Sequence, residues 1–493
     1  MNVFAVLRFA SVAAVVFLAG CTVGPDYQTP APPEVSTFLP ASGSRRASND
    51  SVPGRLVVRG ADITAQWWDT FGSRPLRSLI EEGLSNSPDL IAAEAAVRVS
   101  QANVRAERGA LFPVIGAGFD ASRQQIASRT LTSDVTSDAS LYSLHTGQLT
   151  VGFVPDVWGE TRRQIEAADA QLEMQVFQCE GVYLTLTSKI VLTAIEEARL
   201  RGQIAETQRI VDLQNEILES LKRQNEQGQI SSESVVVQQS SVAQSRLLLA
   251  PLQKQLAQQR HLLAFLTGRF PSEAVLAKFR INSFTLPRKL PLSLPADLVW
   301  QRPDIRAAAA NLRASNAQIG VAIANRLPKI SLTGNVGSVA GQVAQLFTPG
   351  TGFWTIAGSV AHTVFDAGTL ESKQWAAEEA TNQALAQYRS VVLASFQNVA
   401  DVLRALQADA RAIDAASAAE RFGRQHIDLI RRQVEQGQVD ANALLSAQQV
   451  YLQASLALID AQASRLSNTA ALFQALGGGW WNRTPSAGRV ICS

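Results

Sequence analysis

One domain-sized unit is written twice in this chain. Pro88-Asp89-Leu90 opens an alanine-rich stretch closing at Leu111-Phe112-Pro113, and Pro303-Asp304-Ile305 opens a second closing at Leu327-Pro328. Pro155-Asp156-Val157-Trp158-Gly159 is echoed by Val364-Phe365-Asp366-Ala367-Gly368. Arg223-Gln224-Asn225-Glu226-Gln227-Gly228-Gln229-Ile230 returns as Arg432-Gln433-Val434-Glu435-Gln436-Gly437-Gln438-Val439, and Leu266-Thr267-Gly268 answers to Leu476-Gly477-Gly478. Partners stay about 210 residues apart, too long a period for a solenoid, so the chain is a fused duplication with internal pseudo-symmetry.

Each half predicts the same series of elements. In the first, 89–112 is alanine-rich and reads as a helix stopped by Pro113. The period then switches to two. Ile115, Ala117, Phe119 and Ala121 share one face, Gly116, Gly118, Asp120 and Ser122 the other, which predicts a strand near 114–123. A polar, turn-rich segment follows over 124–143. A second alternation near 144–156 sets Leu149, Val151 and Phe153 against Gln148, Thr150 and Gly152. One apolar face and one small or polar face suit a lipid-facing barrel strand over a wet lumen. From 159 to 226 no proline intervenes, and Ile210, Leu213, Ile217 and Leu221 recur at helical spacing. Such a helix is about 100 Å long. Gly228 breaks it, and a second helix over 231–267 is interrupted only by Pro251, which predicts a kink. The other half repeats the scheme: helix 304–327, strands near 329–339 and 353–366, helix 368–435, a break at Gly437, and helix 440–476.

Helices of about 100 Å cannot bury an apolar stripe in a globular core, so they must pack on one another as coiled-coil partners. No apolar run of ~20 residues occurs, which excludes transmembrane helices and leaves a closed β-barrel as the route across a bilayer. Four strands per chain fall short of the ~8 that the smallest bacterial barrels use, so closure demands several chains. Three would supply twelve strands. Two would supply eight, around a lumen mostly filled by side chains.

The N-terminus reads as an export signal: a weakly basic start, then a short apolar run from Phe9 to Phe17. Leu18-Ala19-Gly20-Cys21 resembles the bacterial lipobox, which implies acylation of Cys21 as the mature N-terminus. The alternative is an ordinary signal peptide with Cys21 incidental. Thr22, not aspartate, follows, which by the same resemblance favours an outer-membrane address. Residues 1–20 thus read as signal peptide, 21–62 as a lipidated tether rich in Pro, Ser and Thr, and 482–493 as a loose tail. Between them lie the repeats, 63–287 and 288–481. Cys179 and Cys492 are far apart in sequence, one in a helical pattern and one in the tail; an oxidising compartment would permit a disulfide between them, but this placement does not favour one.

At this point a family resemblance emerges. The paired halves, the Pro-Asp-(Leu/Ile) helix starts, Phe365-Asp366-Ala367-Gly368 and Leu476-Gly477-Gly478-Gly479-Trp480 resemble the TolC-like outer membrane efflux proteins. Trp67-Trp68-Asp69-Thr70-Phe71-Gly72 and Val299-Trp300-Gln301-Arg302-Pro303-Asp304-Ile305-Arg306 resemble the NodT-type lipoprotein branch. The resemblance implies a mixed α/β, mainly α, membrane protein, internally duplicated. Four strands per chain would contribute to a trimeric 12-stranded transmembrane β-barrel, continued by a long periplasmic α-helical coiled-coil tunnel. It implies a homotrimer in the outer membrane, docked to a periplasmic adaptor and an inner-membrane RND-type (resistance-nodulation-division) transporter, passively conducting drugs or other small toxic solutes outward. The alternatives are a type I secretion duct for proteins or peptides, and a non-conducting lipid-anchored coiled-coil spacer, against which the alternating strands argue.

The resemblance also assigns residues. The hairpin tips Arg223, Gln227, Gly228, Gln229 and Arg432, Gln436, Gly437, Gln438 would meet the adaptor, although glycines there also simply allow a tight turn. Gate candidates just after the second tip are Asp440, Asn442 and Ser446. Ser446 stands where relatives often carry aspartate, which places a carboxylate ring in doubt. Trp354, Trp158, Phe153 and Phe365 would serve as interfacial anchors or pack against neighbours, and Trp480-Trp481 as a structural cap.

Other classes find little support. The formal net charge is +2, without clustered cations interleaved with aromatics, so no nucleic-acid partner is expected. No zinc-protease, phosphate-loop or nucleophile-elbow motif occurs. No cofactor, metal site or enzymatic activity is expected.

Overall fold

The computed structural model describes residues 22–39, 56–125, 141–273, 277–287, 289–483 and 492. Cys21, and with it the lipidation reading, lies outside them, as do the signal peptide and residues 126–140. The helices are α1 (Arg74–Asn86), α2 (Pro88–Gly109), α3 (Glu160–Glu226), α4 (Ser232–Leu247), α5 (Leu249–Leu266), α6 (Pro295–Gln301), α7 (Pro303–Ala324), α8 (Thr369–Glu435) and α9 (Ala441–Ala475). The strands are β1 (Leu56–Arg59), β2 (Val114–Gln125), β3 (Leu141–Phe153), β4 (Lys289–Leu292), β5 (Lys329–Ala340) and β6 (Gly352–Ala361). Two compact units result. One comprises residues 22–29, Arg98–Met174 and Ala308–Tyr388, the other the remainder of the described chain.

The first unit carries an antiparallel sheet in the order β2-β3-β5-β6. Its register aligns Ile115, Val151, Gly334 and Ile356 in one row, and Ala117, Leu149, Val336 and Trp354 in the next. The row between carries Gly116, Thr150, Asn335 and Thr355. Residues directly opposite share a face, so these rows set an apolar band on one face against a small or polar band on the other. In the single chain the apolar face is bare: Ile356 is 80% exposed and Trp354 74%. Among the described residues, the outer edges of β2 and β6 pair with no strand.

β2 runs on to Gln125, past the expected 123, β3 starts at Leu141 but ends at Phe153, short of 156, and β6 stops at Ala361, short of 366. Trp354 is the third residue of β6 and Phe153 the last of β3, both close to strand ends. Trp158 lies beyond β3, with its indole Nε1 donating to the Pro328 carbonyl at 2.7 Å, and Phe365 lies beyond β6.

Both long helices start from the repeated aspartate. The Asp156 carboxylate accepts the amides of Thr161 and Arg162 at 3.0 and 3.1 Å. Asp366 likewise accepts those of Leu370 and Gly368 at 2.8 and 3.0 Å. Each motif satisfies amide donors at a helix start. The Leu370 amide foremost, with those of Gly368 and Thr369, holds the Asp366 carboxyl below the usual carboxylate range. Pro88 and Pro303 open α2 and α7, where a missing N–H costs nothing. The single helix expected over 231–267 is two, broken at Leu248. Pro251 has no N–H to give the Leu247 carbonyl and its ring crowds that turn, so the break falls before the proline.

The second unit is centred on the tryptophan motif. Trp67 is fully buried and stacks on Phe473, with centroids 5.4 Å apart. Phe71, whose ring lies 6.3 Å from Trp67, is fully buried, as are Ile80, Leu90, Ile190 and Leu476 elsewhere in the same unit. Trp480 Nε1 donates to the Gln301 carbonyl at 2.7 Å, and Trp481 Nε1 to Asp62 Oδ1 at 3.0 Å.

Two expectations need correction. Residues 56–59, assigned to the tether, form β1, which pairs in parallel with β4. Strands of four residues are too short to show a period. Cys179 and Cys492 form a disulfide, with Cα atoms 5.6 Å apart. Sequence separation does not measure distance in the fold, where Cys492 meets α3. There Arg483 pairs with buried Glu180, and its guanidinium lies 4.4 Å from the Tyr183 ring centroid. Burial pushes the Tyr183 hydroxyl up to about 12.

Replacing Cys492 by serine should destabilise the protein by about 2–5 kcal/mol, read as a lower unfolding midpoint without reductant. Asp156→Ala should cost about 1 kcal/mol through loss of the cap. The depressed Asp366 pKa stabilises the fold above the unfolded value of ~3.9 and is lost as pH falls through the folded value. The gap in melting temperature between wild type and Asp366→Asn should therefore be widest above that pH and close in stronger acid.

Candidate functional site: the two hairpin tips and the helices behind them

The two tips are built alike. At the first, the Gln227 amide donates to the Arg223 carbonyl at 3.1 Å and the Gln229 amide to that of Gln224 at 2.9 Å. At the second, Gln436 donates to Arg432 at 3.1 Å and Gln438 to Gln433 at 2.8 Å. Gly228 and Gly437 have φ of 72° and 69°, the left-handed conformation that closes a helix this way and favours glycine. These bonds use helix-end carbonyls internally and leave the side chains outside. Arg223, Gln227 and Gln229, and Arg432, Gln436 and Gln438, are all exposed in the single chain. Each tip thus offers one guanidinium and two amides, groups suited to a polar polypeptide surface.

The returning helices differ. Ser231 precedes α4 without a side-chain cap. Asp440 caps α9, its carboxylate accepting the Ala443 amide at 3.0 Å and Asn442 Nδ2 at 3.1 Å. Of the gate candidates, Asp440 and Asn442 are thus brought together, with the charge engaged at a helix start. Ser446 is exposed further along α9.

Behind the tips the two hairpins also have different cores. Between α3 and α4, buried Gln238 donates from Nε2 to the Gln214 carbonyl at 2.7 Å, and buried Gln214 to Ser241 Oγ at 3.3 Å. Around α8 and α9 the core is largely apolar, with Ile210 of α3 packed among Ile427, Ala447, Tyr451 and Leu452. Beside it Arg209 pairs with Glu206 and reaches the Tyr451 hydroxyl at 2.5 Å. That hydroxyl donates to Glu420 at 3.4 Å, and Glu420 pairs with Arg424. Arg209, Tyr451 and Arg424 border a groove of about 590 Å³ that also exposes Asp212, Glu216, Asp428 and Arg431. Sequence reading missed this cluster. Its signal was the helical spacing of Glu206 to Arg209 and Glu420 to Arg424. No His, Cys, Asp and Glu group among the described residues could hold a metal ion.

Known proteins share this organisation. The sequence profile described as outer membrane efflux protein matches residues 79–269 and 294–478, more than half the chain. The chain is 28% identical over 479 residues to the probable efflux pump outer membrane protein TtgC of Pseudomonas putida, covering 95% of each. It is 29% identical over 423 residues to the pyoverdine export outer membrane protein OpmQ of the same species, covering 85% of this chain and 89% of that protein. Among solved structures it matches the outer-membrane channel OprN with a TM-score of 0.83, at 24% identity over 93% of this chain and 100% of that one. The open state of the Neisseria gonorrhoeae MtrE outer membrane channel matches with a TM-score of 0.80, at 26% identity over 94% and 100%. Barrel strands joined to long helical hairpins are thus this chain's fold, and efflux across the outer membrane is its setting. The chain belongs to the outer membrane efflux protein family.

Proposed function

We propose that three copies of this chain close one barrel and form the passive outer-membrane duct of a tripartite efflux pump. The observation that carries this is the two-faced sheet with unpaired edges. In the antiparallel order, β6 of one copy can continue into β2 of the next with alternation kept, and three copies give twelve strands. The apolar rows through Val151 and Leu149 face lipid, and the rows through Thr150 and Gln148 line the lumen. Acylation of Cys21 adds a lipid anchor. The paired tips dock a periplasmic adaptor through Arg223, Arg432 and their neighbouring glutamines, and an RND-type transporter on the inner membrane supplies the energy. The duct itself does no bond chemistry. TtgC is named for efflux and OpmQ for pyoverdine export, and both names support a small-solute cargo here.

Native mass of the detergent-extracted protein followed by planar-bilayer recording tests the reading. A trimer with discrete conductance steps is expected. A monomer that never conducts would leave only the spacer. Asp440, Asn442 and Ser446 are proposed to border the periplasmic constriction, with Ser446 making its ring neutral. Ser446→Asp should then add three carboxylates there, raising cation selectivity and introducing block by multivalent cations, whereas unchanged selectivity would remove Ser446 from the gate.

A further inference from the structure

The segment that follows Cys21 in sequence does not behave as a tether. The Val23 amide donates to the Trp158 carbonyl at 3.1 Å. Arg163 of α3, whose side chain is only 5% exposed, donates from Nε to the Val23 carbonyl at 3.1 Å and from Nη2 to the Gly24 carbonyl at 3.2 Å. Its other bonds go to Asp26 Oδ1 at 2.9 Å and Glu166 Oε2 at 2.7 Å. From the second repeat, Asn316 Nδ2 holds the Pro25 carbonyl at 3.0 Å. The approach is too close for side chains. A Cβ on Gly24, where φ is +94°, would fall 2.5 Å from the Gly320 Cα, and one on Gly320 would fall 2.8 Å from Arg163 Cγ. Thr22 also rests close against Gly159, its Cα 2.9 Å from where a Cβ would stand.

We propose that this crevice is a docking seat for the chain's own residues 22–26, and that Arg163 is its positioning residue. The seat fixes the level at which the N-terminal anchor meets the membrane. Three of the four side-chain bonds that Arg163 makes end on the segment, so an empty seat would leave its guanidinium with Glu166 as its one protein partner among the described residues and would open the crevice to water. Occupant and seat therefore stabilise each other. Gly159 and Arg163 come from the first repeat, Asn316 and Gly320 from the second. The seat exists only once both repeats have packed, which makes docking of the segment a late step of folding. The part of this inference that concerns the membrane rests on the acylation of Cys21 proposed above.

Hydrogen exchange of the full-length protein in detergent, read by mass spectrometry on peptides covering 22–29, tests the seat. Slow exchange is expected in the wild type. In Arg163→Met it should be about tenfold faster or more, with the β2–β6 peptides unchanged. Gly24→Ala, which alters the occupant and leaves the seat intact, should give the same local loss if Arg163→Met does not fold. Exchange at the unstructured rate in the wild type, or full protection in both variants, would overturn the proposal. In vesicles, a fluorophore on Gln28→Cys should be quenched by nitroxide lipids at one depth in the seated protein and over a range of depths when Arg163→Met is added. The same range in both would overturn the positioning role. The mass of the N-terminal peptide separates the two readings: an unacylated Cys21 with slow exchange would remove the anchor and keep the seat.

Discussion

Backbone hydrogen bonding in a medium without water is the constraint on which the rest of this structure depends. Each strand facing hydrocarbon must pair along both edges, because an unpaired amide or carbonyl there costs several kcal/mol. Among the described residues of one chain β3 and β5 meet this condition, and β2 and β6 do so on one side only. The sheet is therefore incomplete as a membrane object, and strands from other copies must supply the missing partners. The same constraint explains the alternation. With Ile115, Val151 and Ile356 on one face and Gly116, Thr150 and Thr355 on the other, a closed sheet turns its apolar side to lipid without further rearrangement.

The helical part answers to a different rule. An amphipathic helix of 67 residues, such as α3 or α8, has too long a stripe for any compact core, so it requires partners of comparable length. Duplication supplies them with the same devices used twice: an aspartate cap at the start and a glycine turn at the far end. Equal termini do not make equal hairpins. Glutamines and Ser241 join α3 to α4, whereas Leu444, Leu445, Tyr451 and Leu452 are buried on α9. The apolar core resists sliding through packing, while the amide ladder ties its helices through a few directional bonds. Asp440, engaged by Ala443 and Asn442, shows how a residue noted for its charge can be occupied by a local structural duty.

Legibility in the sequence followed the range of the interaction. Gly228 and Gly437 were readable as turns because the left-handed conformation is a property of one residue and its neighbours. The strand faces were readable because a period of two is local. Pro251 was readable as a disruption, yet its break falls at Leu248, since the affected carbonyl lies one turn back. What escaped was non-local and short. β1 and β4 have four residues each and find each other across more than two hundred positions. Arg209, Tyr451 and Glu420 come from three helices and meet only after these have packed.

By itself the sequence determined the duplicated order of elements, the two-faced strands, the long helices with their caps and breaks, and the family, because each is written in local periods, single special residues or motifs in fixed order. The tertiary structure alone decided that Cys179 meets Cys492, that residues 22–26 lie against Arg163 and Gly320, and that the two hairpins carry unlike cores. These depend on which surfaces face each other once long helices and distant segments have folded back, and no local pattern records that pairing.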